Sequence, residues 1–191
     1  MFSTYFELGM LHIADLDAYD HMLFILALIA VYQLIDAKRI IFLVTAFTLG
    51  HSLTLAMATL EVVRVNSSYI EFLIPITILI TALTNIFRGR NAGRGAMGWK
   101  YFLAAFFGLI HGFGFSNYLR ALLGKEQDIF VPLLAFNLGV EVGQIIIVLI
   151  ILIIATLLFQ IFRFKHRDWI LVISGACSGI AIILAKEAAF W

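Results

Sequence analysis

The sequence predicts an all-α membrane protein with six transmembrane helices and both termini outside. Three observations predict it. Of 191 residues, 63% are hydrophobic and only 13% charged, where a soluble domain of this size carries about a quarter charged residues. Apolar runs long enough to cross a bilayer recur along the chain, and Lys and Arg collect in alternate connecting segments. With 13 cationic and 12 acidic side chains and a mean hydropathy of +1.04, the surface cannot be coated for water. A soluble enzyme, a nucleic-acid binder and a disordered tail are therefore excluded, and the lipid bilayer is the first partner. A homo-oligomer is compatible with this class. The single cysteine, Cys177, rules out an intrachain disulfide and a Cys-rich metal cluster. Its apolar surroundings make it a small packing residue.

The N-terminus lacks a basic region and carries Glu7, Asp15, Asp17 and Asp20, so no cleavable signal peptide is predicted. Its first ten residues can form a short helix lying at the interface. The first span, Met22–Ile35, is a mostly apolar run of only 14 residues, against the ~20 that a spanning helix needs. It crosses only if upstream residues, including Asp20 and His21, are drawn into the helix or the interior. The remaining spans are Ile40–Leu60, Tyr69–Phe87, Tyr101–Leu119, Phe130–Phe162 and Trp169–Ala185. Ser68 and Glu71 read as a capping box opening the third, and Pro132 suits the first turn of the fifth. The fifth run is longer than a bilayer requires, so it protrudes or tilts.

Lys38, Arg39, Arg88, Arg90, Arg94, Lys100, Arg163, Lys165 and Arg167 fall on one side. Arg64, Arg120, Lys125 and Lys186 fall on the other. The positive-inside rule places the richer set in the cytoplasm. Trp99, Tyr101 and Trp169 then mark the cytoplasmic interface as an aromatic belt. His166, in the last basic loop, is expected to be solvated. Ala46-Phe47…His51 and Ala105-Phe106…His111 echo each other too faintly to define a repeat, and residues 1–191 read as one polytopic domain.

Most charges are thereby assigned to loops. The exceptions are Asp20 and His21 at the outer end of the first span, His51 in the second, His111 in the fourth and Glu141 in the fifth. An ionisable group at mid-membrane costs on the order of 3 kcal/mol, which makes it a functional candidate. At about 1.5 Å per residue, His51 and His111 lie slightly outside the midplane. Asn137, counted inward from Asp128, falls in the same layer. Asn137, Glu141 and Gln144 share a helix face. Imidazoles and carboxylates converging from four helices would suit a divalent first-row metal such as nickel, cobalt, zinc or iron(II), and the lack of thiolates argues against copper(I). Thr45, Thr48 and Ser52 accompany His51 as supporting partners. Glycines beside each candidate (Gly50, Gly108, Gly112, Gly139, Gly143) would let the helices approach. Gly175 and Gly179 repeat that spacing with no ligand nearby. Thr77, Thr81 and Thr84 form a stripe suited to bonds between helices. His12, Asp15 and Asp17 form either an external metal-collecting patch or a solvated acidic cap.

Four segments resemble the HupE/UreJ family of bacterial membrane proteins: His12-Ile with Asp20-His21-Met-Leu-Phe, Phe47-Thr-Leu-Gly-His-Ser-Leu-Thr-Leu55, Gly108-Leu-Ile-His-Gly-Phe-Gly-Phe115, and Phe136-Asn-Leu-Gly-Val-Glu-Val-Gly-Gln144. The resemblance implies a nickel or cobalt permease of the inner membrane, with Asp20 and His21 matching the family's Asp-His pair. The sequence departs from the pattern in two places. His12 lies further from His21 than the family's histidine does, and Ala18 stands where the family has glycine.

On this reading the metal ligands are Asp20, His21, His51, His111 and Glu141, with His12, Asp15, Asp17, Ser52, Asn137 and Gln144 accessory. Nickel or cobalt would be the substrate. Two alternatives stay open. One is an intramembrane hydrolase, with zinc on His21, His51 and His111 and with Glu141 or Asp20 as base. The other is a metal sensor or assembly factor that moves nothing.

Overall fold

A computed structural model describes residues 2–15, 19–93, 97–123 and 129–190. Seven α-helices account for most of them: α1 (Phe2–Ile13), α2 (Asp20–Ile29), α3 (Ala37–Thr59), α4 (Ser67–Arg88), α5 (Met97–Leu123), α6 (Phe130–Ile161) and α7 (His166–Glu187). There is no strand among the described residues. Among the described residues, four helices are long and apolar enough to cross a membrane: α3 with the 3-10 turn before it, α4, α6 and α7. The lengths suit the task, since 22 residues at 1.5 Å each give about 33 Å. Leu138, Ile146, Ile150, Ile153 and Leu157 of α6 point outward, as a lipid-facing stripe would.

Several boundaries differ from the sequence expectation. The first predicted span, Met22–Ile35, is helical only over Asp20–Ile29, so Asp20 and His21 are indeed drawn in and the apolar tail is not. Helix α4 starts at Ser67 with Asn66 as its cap, whose side chain accepts from the Ser68 amide at 3.0 Å. Asn competes well with Ser at this position, which displaces the expected capping box. Thr81 and Thr84 donate to carbonyls of their own helix, leaving Thr77 as the member of that stripe that reaches a neighbour. His166 opens α7 and is buried with its ring against Phe159, because the tight turn folds α7 back onto α6.

Two helix pairs set the geometry. In α3·α5, a Cβ on Gly50 would lie 2.0 Å from the Ala105 carbonyl oxygen, and one on Gly108 would lie 2.1 Å from that of Phe47. Further along, Gly112 meets the carbonyl of His51. Phe42 meets Tyr101 near the start of both helices and Glu61, just past the end of α3, meets Arg120 near the end of α5, so these helices are parallel. The α1·α6 pair is built the same way, with Gly9 against Phe136, Gly139 against Phe6 and Gly143 against Met10. The small residues bring backbones into contact, as membrane helices often require. The fourth glycine motif of the chain, Gly175 and Gly179, has open space around it.

Helix α1 therefore runs lengthwise along α6. Six residues (124–129) join α5 to α6, and they reach at most about 20 Å, whereas α5 is about 40 Å long. Helix α6 must start where α5 ends and run back. Helix α2 also opposes α5, because His21 meets His111 while Phe24 meets Phe107 one turn earlier in α5. Helices α1 and α2 thus run in the same direction, end to start, with His12 and His21 only 4.6 Å apart between ring centres. Twelve residues and ten give about 18 and 15 Å, close to the ~30 Å hydrocarbon core when added. Together the two helices have the length of one spanning helix, interrupted near its middle. Its lower end is pinned by Asn85, which donates at 2.7 Å to the Ala27 carbonyl, one of the last four carbonyls that a helix leaves without an internal partner.

Candidate metal centre

The interruption brings side chains from two helix ends to two continuous helices. His12 is near the end of α1, Asp20 and His21 open α2, His51 lies in α3 and His111 in α5. His51 and His111 are wholly buried, and His21 is 3% exposed. Ring centres lie 5.9 Å apart for His21 and His51, 6.0 Å for His12 and His51, and 5.2 Å for His21 and His111. Two sets of ligand atoms lie within 4.8 Å of one another: His12, His21 and His51, and Asp20, His21 and His111. His21 belongs to both.

Hydrogen bonds fix which nitrogen each ring presents. Asp20 Oδ1 accepts from the His21 amide at 2.8 Å and faces His21 Nδ1 at 3.0 Å, so Nδ1 carries the proton and Nε2 is left free. The single proton of the Thr77 hydroxyl goes to the Ile74 carbonyl at 2.7 Å. The same hydroxyl, 3.0 Å from His111 Nε2, must then accept, which leaves Nδ1 of His111 free. A carboxylate or hydroxyl holding the far nitrogen is the usual support for a metal-binding histidine.

The remaining nitrogens decide between packing and binding. His12 Nε2, His21 Nε2, both nitrogens of His51 and His111 Nδ1 are buried without a hydrogen-bond partner. Each such orphan costs about 1–3 kcal/mol, so a purely structural cluster would not leave five together. Asn137 Oδ1 is also unpartnered; it faces His51 without the geometry of a full hydrogen bond. Aromatic rings close the surroundings, with Phe115 3.8 Å from His12, Phe24 5.1 Å and Phe47 5.2 Å from His111. Neutral imidazoles with a carboxylate suit a divalent ion such as nickel, cobalt or zinc. The one thiol does not compete, because Cys177 Sγ lies 3.8 Å from the Leu23 carbonyl in the core.

The other sequence candidates fall elsewhere. Glu141 lies outside both sets, accepting from Thr45 Oγ1 at 2.5 Å. Gln144 is buried and accepts from Thr48 Oγ1 at 2.7 Å. Ser52 is half-buried beside His51, and Asp15 is exposed past the end of α1. Asp17 lies outside the described residues. The sequence treated His12 as accessory and Thr77 as part of a stripe for bonds between helices; the structure puts both at the imidazoles, Thr77 through such a bond. Two signals pointed to them. The first span was too short without residues upstream of Met22, and Thr77 lies at mid-helix in α4.

The long apolar helices and the buried imidazole–carboxylate cluster define the class: a helical membrane protein with a potential metal site in its interior. The profile of the family described as HupE / UreJ protein matches residues 1–188. The chain belongs to that family, which implies a function related to nickel or cobalt. Among curated proteins and among solved structures nothing matches it.

Proposed function

We propose that the protein is an inner-membrane permease for a divalent transition-metal ion, nickel or cobalt, crossing the membrane six times with both termini outside. The observation that carries this reading is the interrupted first crossing. A broken helix exposes ends and loop backbone only where they line a cavity or a substrate site, and this break faces the unpartnered nitrogens. Helices α1–α2 and α5 complete the six crossings begun by the four long apolar helices.

Asp20, His21 and His12 receive the ion from outside, and His51 and His111 hold it in the outer half of the membrane. Toward the first residues of α3 the imidazoles give way to oxygen, at Thr48 with Gln144 and then Thr45 with Glu141. Several sites of moderate strength conduct better than one deep trap, and softer nitrogen followed by harder oxygen grades the release. Glu141 takes the ion or a proton on this inward leg.

The test is accumulation of radioactive nickel or cobalt in bacterial cells that lack their own uptake systems. The reading expects uptake with the wild-type chain, and background uptake with His51→Ala or His111→Ala present at equal levels in the membrane. Unchanged accumulation in both variants contradicts it.

A further inference from the structure

The two glycine-locked pairs have more in common than packing. Gly9 of α1 touches the carbonyl of Phe136, and Gly108 of α5 touches that of Phe47. Gly139 of α6 touches the carbonyl of Phe6, and Gly50 of α3 touches that of Ala105. In each of the four, after that carbonyl group, the next close atom is an amide nitrogen: Val140, His51, Met10 and Leu109 respectively. A single rule relates them. Positions in α1 and α5 differ by 99 throughout (Phe6 and Ala105, Gly9 and Gly108, Met10 and Leu109), and those in α3 and α6 differ by 89 (Phe47 and Phe136, Gly50 and Gly139, His51 and Val140).

The sequence carries the same correspondence. Gly9-Met-Leu-His12 matches Gly108-Leu-Ile-His111, and Phe47-Thr-Leu-Gly50 matches Phe136-Asn-Leu-Gly139. The remaining helices α4 and α7 have 22 residues each and pack against one another. That is where two copies of a third element meet when an axis passes between them. The copies are inverted, since α1 runs with α6 and α6 runs opposite to α5.

We propose that the chain is an inverted structural repeat, with α1–α2, α3 and α4 as one copy and α5, α6 and α7 as the other. His12 and His111 are then equivalent ligands, one from each copy. This deepens the permease reading and rests on it only for the ion as cargo. Each locked pair takes one helix from each copy, so the imidazoles lie at the seam between α1·α6 and α3·α5. In inverted-repeat transporters that seam is where substrate binds, and rocking of one bundle on the other opens it to either side. The two ligand sets fit this arrangement. His12 stands in one, His111 in the other, and His21 in both. The set with His12 lies nearer Phe115 and the set with His111 nearer Phe24, so they are displaced along the crossing. His21, which the break supplies to the first copy alone, is the pivot between them.

The experiment has two arms. Reporters that distinguish the two sides of the membrane are fused ahead of α1 and inserted in the connection before α5. Inversion requires opposite sides, and reporters on the same side overturn it. In the second arm, cobalt(II) is titrated by calorimetry into purified full-length chain. His12→Ala and His111→Ala should weaken binding by comparable factors, each at least the roughly 10- to 100-fold that losing a supporting residue costs a metal site. His12→Gln and His111→Gln replace them if the alanine variants do not elute as a single folded species. One silent variant beside one that abolishes binding overturns the equivalence. A wild-type chain that takes no cobalt removes the equivalence and the metal reading together, while the reporters still decide the inversion.

Discussion

Helices α1–α2 and α5 occupy corresponding places beside α6 and α3, yet one is broken and the other continuous. Helix α5 runs 27 residues through His111 without interruption. Its counterpart stops one residue after His12 and resumes at Asp20. The unbroken helix can aim one imidazole at the centre. The broken one supplies two histidines and a carboxylate from adjoining helix ends. A crossing that gives up helical hydrogen bonds in a membrane loses stability, because each unsatisfied group there costs several kcal/mol. The difference teaches where this fold spends stability on binding.

The largest effect should come from the residue that only the broken crossing provides. His21→Ala removes a member of both ligand sets, so binding of nickel or cobalt to the purified chain should vanish in a calorimetric titration. Wild-type affinity in that variant would make the break irrelevant to binding. Next come the glycines that lock the two crossings in place. A leucine at Gly9 or at Gly108 must push a carbonyl away, at more than the ~1–3 kcal/mol typical of overpacking. Both variants should lose folded protein in detergent thermal melts. Gly175→Leu enters open space and should stay within ~0.5 kcal/mol of wild type. If Gly9→Leu behaves like Gly175→Leu, α1 is not packed on α6.

Smaller changes sharpen the comparison. Asp20→Asn keeps the shape of the pair with His21 but loses the charge that holds Nδ1 protonated. Thr77→Val removes the acceptor from His111 Nε2. Support of this kind is worth about 10- to 100-fold in metal affinity, and the charged partner should stand at the upper end. Titration of the two variants side by side ranks them; a stronger effect at Thr77 would shift the centre of the site toward α5. The smallest effect is on stability alone. Asn85→Ala leaves the Ala27 carbonyl unpaired at the foot of α2, at a cost of about 1 kcal/mol or slightly more, read as a modest fall in the melting temperature with cobalt affinity retained.

Much of this architecture was legible in the residues. Apolar runs locate α3, α4, α6 and α7 because a spanning helix has few other compositions available. The shortage of apolar residues after Met22 announced that Asp20 and His21 are drawn into the helix. What it could not announce was the placement of α1, since twelve residues containing Glu7 and His12 suit an interface as well as a groove along α6. Helix rotation decided the site. Glu141 has the depth of a ligand, but the Thr45 hydroxyl on its flank claims the carboxylate. His12 fell outside the family's spacing and still meets His21, because the two lie on different helices whose ends adjoin. The faint echo between His51 and His111 joins two helices that pack on each other; the correspondence behind the proposed repeat lies in two other short glycine motifs, and only backbone contacts make it visible.

The central claim is that imidazoles at the break take hold of a divalent ion. X-ray absorption of the nickel-loaded, detergent-purified chain tests it most directly, since outer-shell scattering from imidazole rings counts histidine ligands. The account predicts two or three imidazoles on the bound nickel in the wild-type chain, with the signal lost in His21→Ala. A spectrum of nickel surrounded by oxygen alone, unchanged in that variant, would contradict it.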